Sequence, residues 1–375
     1  MAEPLTTAAD GAGRLLSYRP TRARIVPGVR MKAQAWHIRY TTTAATGELI
    51  EVTGTVLRPT NEPAAALVGY AVGSQGLAPR VAALSAQLRL GVEYEASLIS
   101  AALRHGWVLA LPDYPGLGDG GARLHPYVVG RALGPSVLDC VRAARQLPEA
   151  GAEGLPVAIT GYSEGGCAAG WALQMQPDYA PELPLVAGAA GGVPADMMAL
   201  YEFHERSAFS FLLMYTLLGL GSAYPELDVD RFLTRRGRWL ARYFRRTHLL
   251  VAIVSGFFLT AWRDIAKAAN PLPFDDPQVR ARIEENRLGA TAPGVPVLVG
   301  AATLDQAIAY PQVQALAQEW TAAGGDVTFS RMRGCEHIAG GVVYHRRANT
   351  FLAQHVRAAA ATPSGTTKTK RLRSA

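Results

Sequence analysis

The sequence predicts an α/β fold: a mainly parallel sheet covered by helices on both faces and interrupted by an inserted helical segment. Three observations carry this. Short apolar, β-branched runs alternate with helix-patterned stretches along the first half of the 375-residue chain. The alternation stops from about Pro194 to Leu288 and then resumes. Between a strand signal and a helix signal stands Gly161-Tyr162-Ser163-Glu164-Gly165.

The elements follow in order. Residues 1–30 show little periodicity and are expected to form an irregular arm. Ala33–Thr42 and Ile50–Leu57 alternate and carry β-branched and aromatic residues, so a hairpin is expected, turning near Thr46-Gly47-Glu48. Ala65–Val72 reads as a buried strand, Val81–Leu103 as one helix and Trp107–Leu111 as the next strand. A helix over Ser136–Leu147 leads to the strand Leu155–Thr160. After the pentapeptide, Gly166–Met175 is rich in small residues that let a helix lie close to a sheet, and Leu183–Gly188 is another apolar run. The inserted segment is expected to hold helices over Phe209–Leu220, Val229–Phe244 and Thr247–Lys267. The sheet resumes with Val295–Gly300, a helix over Pro311–Ala323, a strand over Asp326–Arg331 and a last helix over Val342–Ala361. Thr362–Ala375 is polar and basic and is expected to be disordered.

The composition, 49% hydrophobic and 18% charged, is that of a folded globular chain. Much of the formal charge of +7 sits in Arg231–Arg246 and in Lys368, Lys370, Arg371 and Arg373. With no zinc-finger or RRM-like signature beside it, this basic balance does not indicate nucleic acid as a partner. Cys140, Cys167 and Cys335 form no C-x-x-C, so no metal site is expected, and an odd number leaves at least one thiol free. The first 30 residues lack the apolar run of a signal peptide, which predicts a cytoplasmic protein. Leu249–Trp262 is strongly apolar but shorter than the roughly 20 residues a membrane helix needs, and reads as a buried or interfacial helix.

The pentapeptide is the pattern of a nucleophile elbow, a turn that lifts a serine hydroxyl off the sheet edge and needs glycines around it. A serine is a poor nucleophile alone: a base must take its proton, and an acid must hold that base. In such folds the chain order is serine, then carboxylate, then histidine. Asp305 follows the strand that begins at Val295, and His337 follows the strand that ends near Arg331. Each therefore sits past the carboxyl end of a parallel strand, where open α/β sheets gather their sites. Asp326 opens its strand and belongs at the opposite edge, while His345 and His355 lie inside the last helix. Ser163, Asp305 and His337 are thus the expected catalytic residues. Two backbone amides should hold the oxyanion: that of Glu164, and one from the loop Val72-Gly73-Ser74-Gln75-Gly76, either Gly73 or Ser74. The Glu164 side chain is expected to point away.

With these residues in hand, the chain resembles the secretory lipase family of α/β-hydrolases over roughly residues 13–360. The marks are Gly13-Arg14-Leu15-Leu16, Arg39-Tyr40-Thr41-Thr42 and Thr53–Pro59. Further ones are Pro112–Gly118 and His125-Pro126-Tyr127, then Asp139–Ala144, Gly161–Gly166 and Gly192–Asp196. The resemblance implies an α/β-hydrolase fold, carboxylic ester hydrolysis with acylglycerols as substrates, a helical cap and the same triad. It implies secretion as the alternative location. The chain departs from the family in carrying Val72-Gly73-Ser74 where many relatives have His-Gly-Thr, and Leu77-Ala78-Pro79-Arg80 where they have Cys-Ala-Pro-Ser.

The expected organisation is a catalytic domain of residues 1–193 and 289–361, a cap of residues 194–288 and the tail 362–375. Phe209, Phe211, Leu212, Leu213, Met214, Leu217 and Leu218 offer one apolar surface and Leu249–Trp262 another, for core packing between cap helices or for an acyl pocket. Arg235, Arg236, Arg238, Arg242, Arg245 and Arg246 alternate with Trp239, Leu240, Tyr243 and Phe244, a solvated basic face or a surface for an anionic membrane. The reading is a serine esterase or lipase working through an acyl-enzyme with no metal or organic cofactor. The alternatives are an acyltransferase or peptidase on the same scaffold, and a catalytically silent lipid-binding protein.

Overall fold

The structure is a computed structural model that describes residues 8–60, 63–118, 123–260 and 267–361. The expected disordered tail lies outside the described residues, as does most of the stretch from Trp262 to Lys267. The strands are β1 (Leu15–Pro20), β2 (Arg24–Val26), β3 (Val29–Arg30), β4 (Ala33–Thr43), β5 (Leu49–Pro59), β6 (Ala66–Ala71), β7 (Trp107–Pro112), β8 (Val157–Tyr162), β9 (Leu185–Gly191), β10 (Val297–Ala302) and β11 (Val327–Met332). Nine of them make one sheet in the order β1-β4-β5-β7-β6-β8-β9-β10-β11. From β7 to β11 neighbours run parallel, while β1, β4 and β5 add an antiparallel edge. This is the α/β-hydrolase fold, and β6, β7, β8 and β10 are buried throughout, as strands covered on both faces must be.

Two glycines on β9 reveal both layers. A Cβ on Gly188 would meet the side chain of Leu173, and one on Gly191 would meet the ring of Tyr344. Residues three apart on a strand face opposite ways. One face is therefore covered by α4 (Glu164–Tyr179), which packs with α3 (Gly130–Arg145), and the other by α11 (His337–Ala361). The chain order reverses between β6 and β8, which are neighbours, so the loop after β6 and the elbow after β8 meet at the topological switch point.

The irregular arm is not irregular. β1 pairs antiparallel with β4 as the sheet's edge, and β2 and β3 form a small hairpin. The burial of β1 is confined to its first residues, so its period-2 signal is weak. The single helix expected over Val81–Leu103 is two, α1 (Leu84–Leu90) and α2 (Ala96–Leu103). Gly91 breaks them in the left-handed region at φ 79°, where a Cβ would lie 2.5 Å from the backbone of Val26. The helix before the elbow starts earlier than expected, at Gly130, and the last helix starts at His337 rather than Val342.

Between β9 and β10 the described residues add no strand to the sheet. They hold α5 (Met197–His204), α6 (Phe211–Ala223), α7 (Arg235–Phe244), α8 (Leu249–Thr260) and α9 (Pro277–Glu285). The expectation had missed α5 and α9. Both carry a legible start: Asp196 and Asp276 cap them, each accepting from two backbone amides, and Pro277 opens α9. The helix expected to begin at Val229 begins at Arg235, where Thr234 accepts from the Gly237 amide.

Candidate active site

Ser163 closes β8 and opens α4 with φ 62° and ψ −125°, a strained conformation for a residue with a side chain. Close packing imposes it. A Cβ on Gly161 would lie 2.1 Å from the Gly165 carbonyl oxygen, and one on Gly165 would lie 2.1 Å from that of Ala71. The turn is this tight only because both are glycine. The Ser163 amide donates to Gly191 of β9 at 2.9 Å, fixing the turn to the next strand.

Asp305 lies on the turn after β10, its side chain 1% exposed. Its Oδ1 accepts from the amides of Ala307 (2.9 Å) and Ile308 (2.7 Å). His337 begins α11 after β11, and its amide donates to Gln306 Oε1 at 3.1 Å. Glu336 caps the helix by accepting from the amides of Ile338 and Ala339. The three side chains meet: His337 Nδ1 lies 2.8 Å from Asp305 Oδ2, and His337 Nε2 lies 3.0 Å from Ser163 Oγ. A carboxylate can only accept, so Nδ1 carries the proton and Nε2 is left to accept from the serine. Tyr162 supports the group from below, its hydroxyl donating to the His337 carbonyl at 2.9 Å. His204 of α5 reaches in from the insertion. Its Nε2 donates to the Ala307 carbonyl at 2.7 Å, and burial holds its pKa below the usual histidine value. A neutral ring then accepts at Nδ1 from Ser207 Oγ, 2.8 Å away.

Glu164 is the first residue of α4, so its amide has no carbonyl in a preceding turn. Its carboxyl is turned into the protein, 2.6 Å from His125 Nε2, with both side chains 1% exposed. His125 Nδ1 faces the Pro115 carbonyl at 3.0 Å and must donate there, so Nε2 is the nitrogen that meets the Glu164 carboxyl. Of the two loop candidates, Gly73 is corrected: its amide donates to Glu95 Oε1 at 2.8 Å and is not free for an oxyanion. Ser74 lines the cavity with Ser163, and its amide has no partner among the described residues.

That cavity, about 410 Å³, lies over Ser163 and His337. Its walls come from both layers of the molecule: Phe209, Phe211 and Leu212, then Leu249, Leu250 and Ile253 from the insertion, with Ile308, Ile338 and Val342 opposite. The apolar residues of α6 thus divide: Leu213, Met214, Leu217 and Leu218 are core, while Phe211 and Leu212 wall the cavity. On α7 the buried face is Gly237, Leu240, Ala241 and Phe244, with Arg235, Arg238 and Arg242 outside; Arg246, just beyond the helix, is also exposed. Cys140 and Cys167 are buried and free, and Cys335 is half-buried.

Sequence reasoning singled out neither the His125–Glu164 pair nor Glu93 and Glu95. The only signal was carboxylates and a histidine set among apolar and aromatic residues, which does not reveal their partners.

The comparisons agree with this architecture. Candida antarctica lipase A in its closed state superposes with a TM-score of 0.80 at 20% identity, over 95% of this chain and 86% of that one. The rice cell wall degrading esterase LipA from Xanthomonas oryzae gives 0.73 at 19%, over 92% and 98%. At such identities the likeness concerns the fold. A probable inactive lipase of Mycobacterium tuberculosis is 29% identical over 254 residues, 66% of this chain and 54% of the relative. A secreted triacylglycerol lipase of Malassezia furfur is 28% identical over 245 residues, 64% of this chain and 62% of the relative. The matches thus span less than two-thirds of the length of these curated relatives. The family model for secretory lipases matches residues 80–362, and the chain belongs to the secretory lipase family.

Proposed function

We propose that this chain is a serine-dependent carboxylic ester hydrolase acting on acylglycerols or other lipid esters. The observation that carries the reading is the unbroken line from Asp305 through His337 to Ser163, at 2.8 and 3.0 Å. In this reading Ser163 Oγ attacks the acyl carbonyl as His337 Nε2 takes its proton. Asp305 holds the imidazole tautomer and stabilises the imidazolium. The Glu164 and Ser74 amides receive the oxyanion. The tetrahedral intermediate collapses, His337 returns the proton to the leaving alcohol, and an acyl-Ser163 ester remains. Water, deprotonated by His337, then releases the acid.

Residues 194–288 serve as a cap over the acyl chain, which the apolar cavity walls support. Next to the cavity mouth α8 exposes Leu250, Val251, Val254 and Phe258, and Ile338 is 73% exposed. With the arginines of α7, that surface suits a lipid aggregate with anionic headgroups. The relatives named as secreted support the secreted location over the cytoplasmic one.

A catalytically silent protein is the second reading, favoured by the relative named as an inactive lipase. A fluorophosphonate probe separates the two. We expect Ser163 to be labelled, and Ser163→Ala to abolish both labelling and ester hydrolysis, losing about 10⁴–10⁶ in kcat with an unchanged melting temperature. Near-normal turnover in that variant would sink the assignment.

A further inference from the structure

Behind the loop that follows β6, two acids and a tyrosine occupy the break between α1 and α2. Glu93 and Glu95 are each 4% exposed, and among the described residues no arginine or lysine pairs with them. Their hydrogen bonds converge on the three successive peptides between Val72 and Gln75. The Gly73 amide donates to Glu95 Oε1 at 2.8 Å, and the Tyr94 hydroxyl donates to the Ser74 carbonyl at 3.0 Å. Gln75 Nε2 donates both to the Gly73 carbonyl at 3.2 Å and to Glu93 Oε1 at 3.3 Å. The Glu95 amide ties the two acids together by donating to Glu93 Oε1 at 3.0 Å.

The polar groups on each side of the Ser74 amide are therefore held. A trans peptide points its N–H opposite to its carbonyl, so fixing the Gly73 carbonyl on Gln75 fixes the direction of the Ser74 N–H. The fit is close: a Cβ on Gly73 would lie 2.6 Å from the Tyr94 hydroxyl and 3.0 Å from Glu95 Oε1. On its other side the loop is stitched to the insertion, where the Leu249 amide donates to the Gln75 carbonyl at 3.0 Å.

We propose that Glu95 is a positioning residue that acts as an uncharged acid: it holds the Val72–Gly73 peptide, and with Gln75 on the next carbonyl this sets the Ser74 amide to face the oxygen developing above Ser163, and its protonated form is the active one. The proposal rests on the serine-hydrolase reading. A carboxylate behind this peptide would oppose the negative charge gathering on the substrate oxygen, whereas a neutral carboxyl leaves that charge to the amides. Burial favours the neutral form of Glu95, while the donors that meet it and His337 favour the charged one. On its own segment stand Glu93, a like charge, and Tyr94. From β6 comes Tyr70, whose hydroxyl lies 3.2 Å from Glu95 Oε2. From α11 come His337 and His345. The His345 ring stacks on Tyr70 with centroids 5.4 Å apart, and burial pushes its pKa down to about 3, so it supplies no cation. Burial lifts the Glu95 pKa to about 7 against the pull of the Gly73 amide, the Tyr70 and Tyr94 hydroxyls and His337, and burial with the neighbouring Glu95 lifts Glu93 to about 8. The two acids titrate as a pair.

The test is kcat and KM for p-nitrophenyl butyrate from pH 5 to 9, in the wild type, Glu95→Gln and Glu95→Ala, with fluorophosphonate labelling of each. At pH 6 Glu95→Ala should lose about 10- to 100-fold in kcat, less than deletion of an oxyanion donor, with KM changed by less than about threefold. Glu95→Gln, which keeps an acceptor for the Gly73 amide, should recover most of that loss. Wild-type kcat should decline above about pH 7 while Glu95→Gln does not. Wild-type kcat in Glu95→Ala, a glutamine variant as impaired as the alanine one, or the same alkaline profile in wild type and Glu95→Gln would each overturn the proposal. If Glu95→Ala does not fold, the comparison of the other two profiles decides alone. Failure to label wild-type Ser163 would overturn the hydrolase reading and this inference with it; labelling with any of the adverse kinetic outcomes would overturn this inference only.

Discussion

The layer around Ser163 and the helices above it are held together by different means. Around the elbow, backbone meets backbone: Gly161, Gly165 and Gly166 each lie where a Cβ would come within 2.2 Å of a carbonyl oxygen. In the insertion the contacts are mixed: a Cβ on Gly237 of α7 would lie 2.0 Å from the Ala268 carbonyl oxygen and one on Gly219 of α6 would lie 2.6 Å from the Tyr127 backbone, but other glycines meet side chains. A Cβ on Gly256 of α8 would meet the ring of Phe211 at 2.7 Å, and one on Gly221 would meet Val229. Side chains rotate away and carbonyls in a sheet do not. The reacting groups are therefore set by a framework that tolerates almost no change, while the cavity is walled by apolar side chains that can repack. Among the polar cross-links between the two, some reach the site itself: His204 on the Asp305 turn, and Leu249 on the loop that bears Ser74.

The largest effect that would sharpen this contrast is on chemistry. Asp305→Asn leaves the shape intact but offers Nδ1 a donor where it needs an acceptor, so kcat should fall about 10⁴-fold with the melting curve nearly unchanged. A drop below tenfold would mean the tautomer is held by something else. Next comes the framework itself. Gly165→Ala should destabilise the protein by about 3 kcal/mol or more, while Gly256→Ala, whose methyl would press on the Phe211 side chain, should cost about 1–2 kcal/mol. Equal losses in chemical denaturation would erase the distinction between the two layers. A subtler change concerns the cavity. Ile253→Trp should reduce kcat/KM for long-chain p-nitrophenyl esters about tenfold relative to acetate, because it removes volume from an acyl pocket of about 410 Å³. An unchanged chain-length profile would move the acyl site elsewhere. The smallest effect lies outermost: Arg238→Glu with Arg242→Glu should weaken pelleting with anionic vesicles several-fold and leave neutral vesicles unaffected. No difference between the vesicle types would remove the basic face from the membrane reading.

Much of the central layer was legible in the chain. The elbow announced itself because its glycines, its apolar strand and its small-residue helix are contiguous. Asp305 and His337 could be found because each follows a legible strand, an unbroken apolar run in β10 and an alternating one in β11. The edge strand β1 was not legible, because Ser17–Pro20 are exposed on both faces and a bulge interrupts the register near Leu15, so the strand barely alternates. The split between α1 and α2 was hidden because Val92 and Tyr94 kept the pattern apolar across Gly91, and only the approach of Val26 shows why glycine is required there. The starts of α5 and α9 were written in Asp196 and in Asp276-Pro277, and their caps could have been recognised from the residues alone.

By itself, then, the sequence determined which hydroxyl, carboxylate and imidazole belong together, since local sterics and strand periodicity fix where each must emerge from the sheet. The tertiary structure alone decided which backbone amide is free for an oxyanion. Gly73 and Ser74 are indistinguishable as letters, and only Glu95, 22 residues from Gly73 in the chain, takes one and leaves the other. It likewise decided what the buried acids face, with His125 meeting Glu164 across 39 residues. The reason is physical: a hydrogen bond or a desolvated charge depends on where distant segments pack, and a residue's own neighbours along the chain carry no record of that.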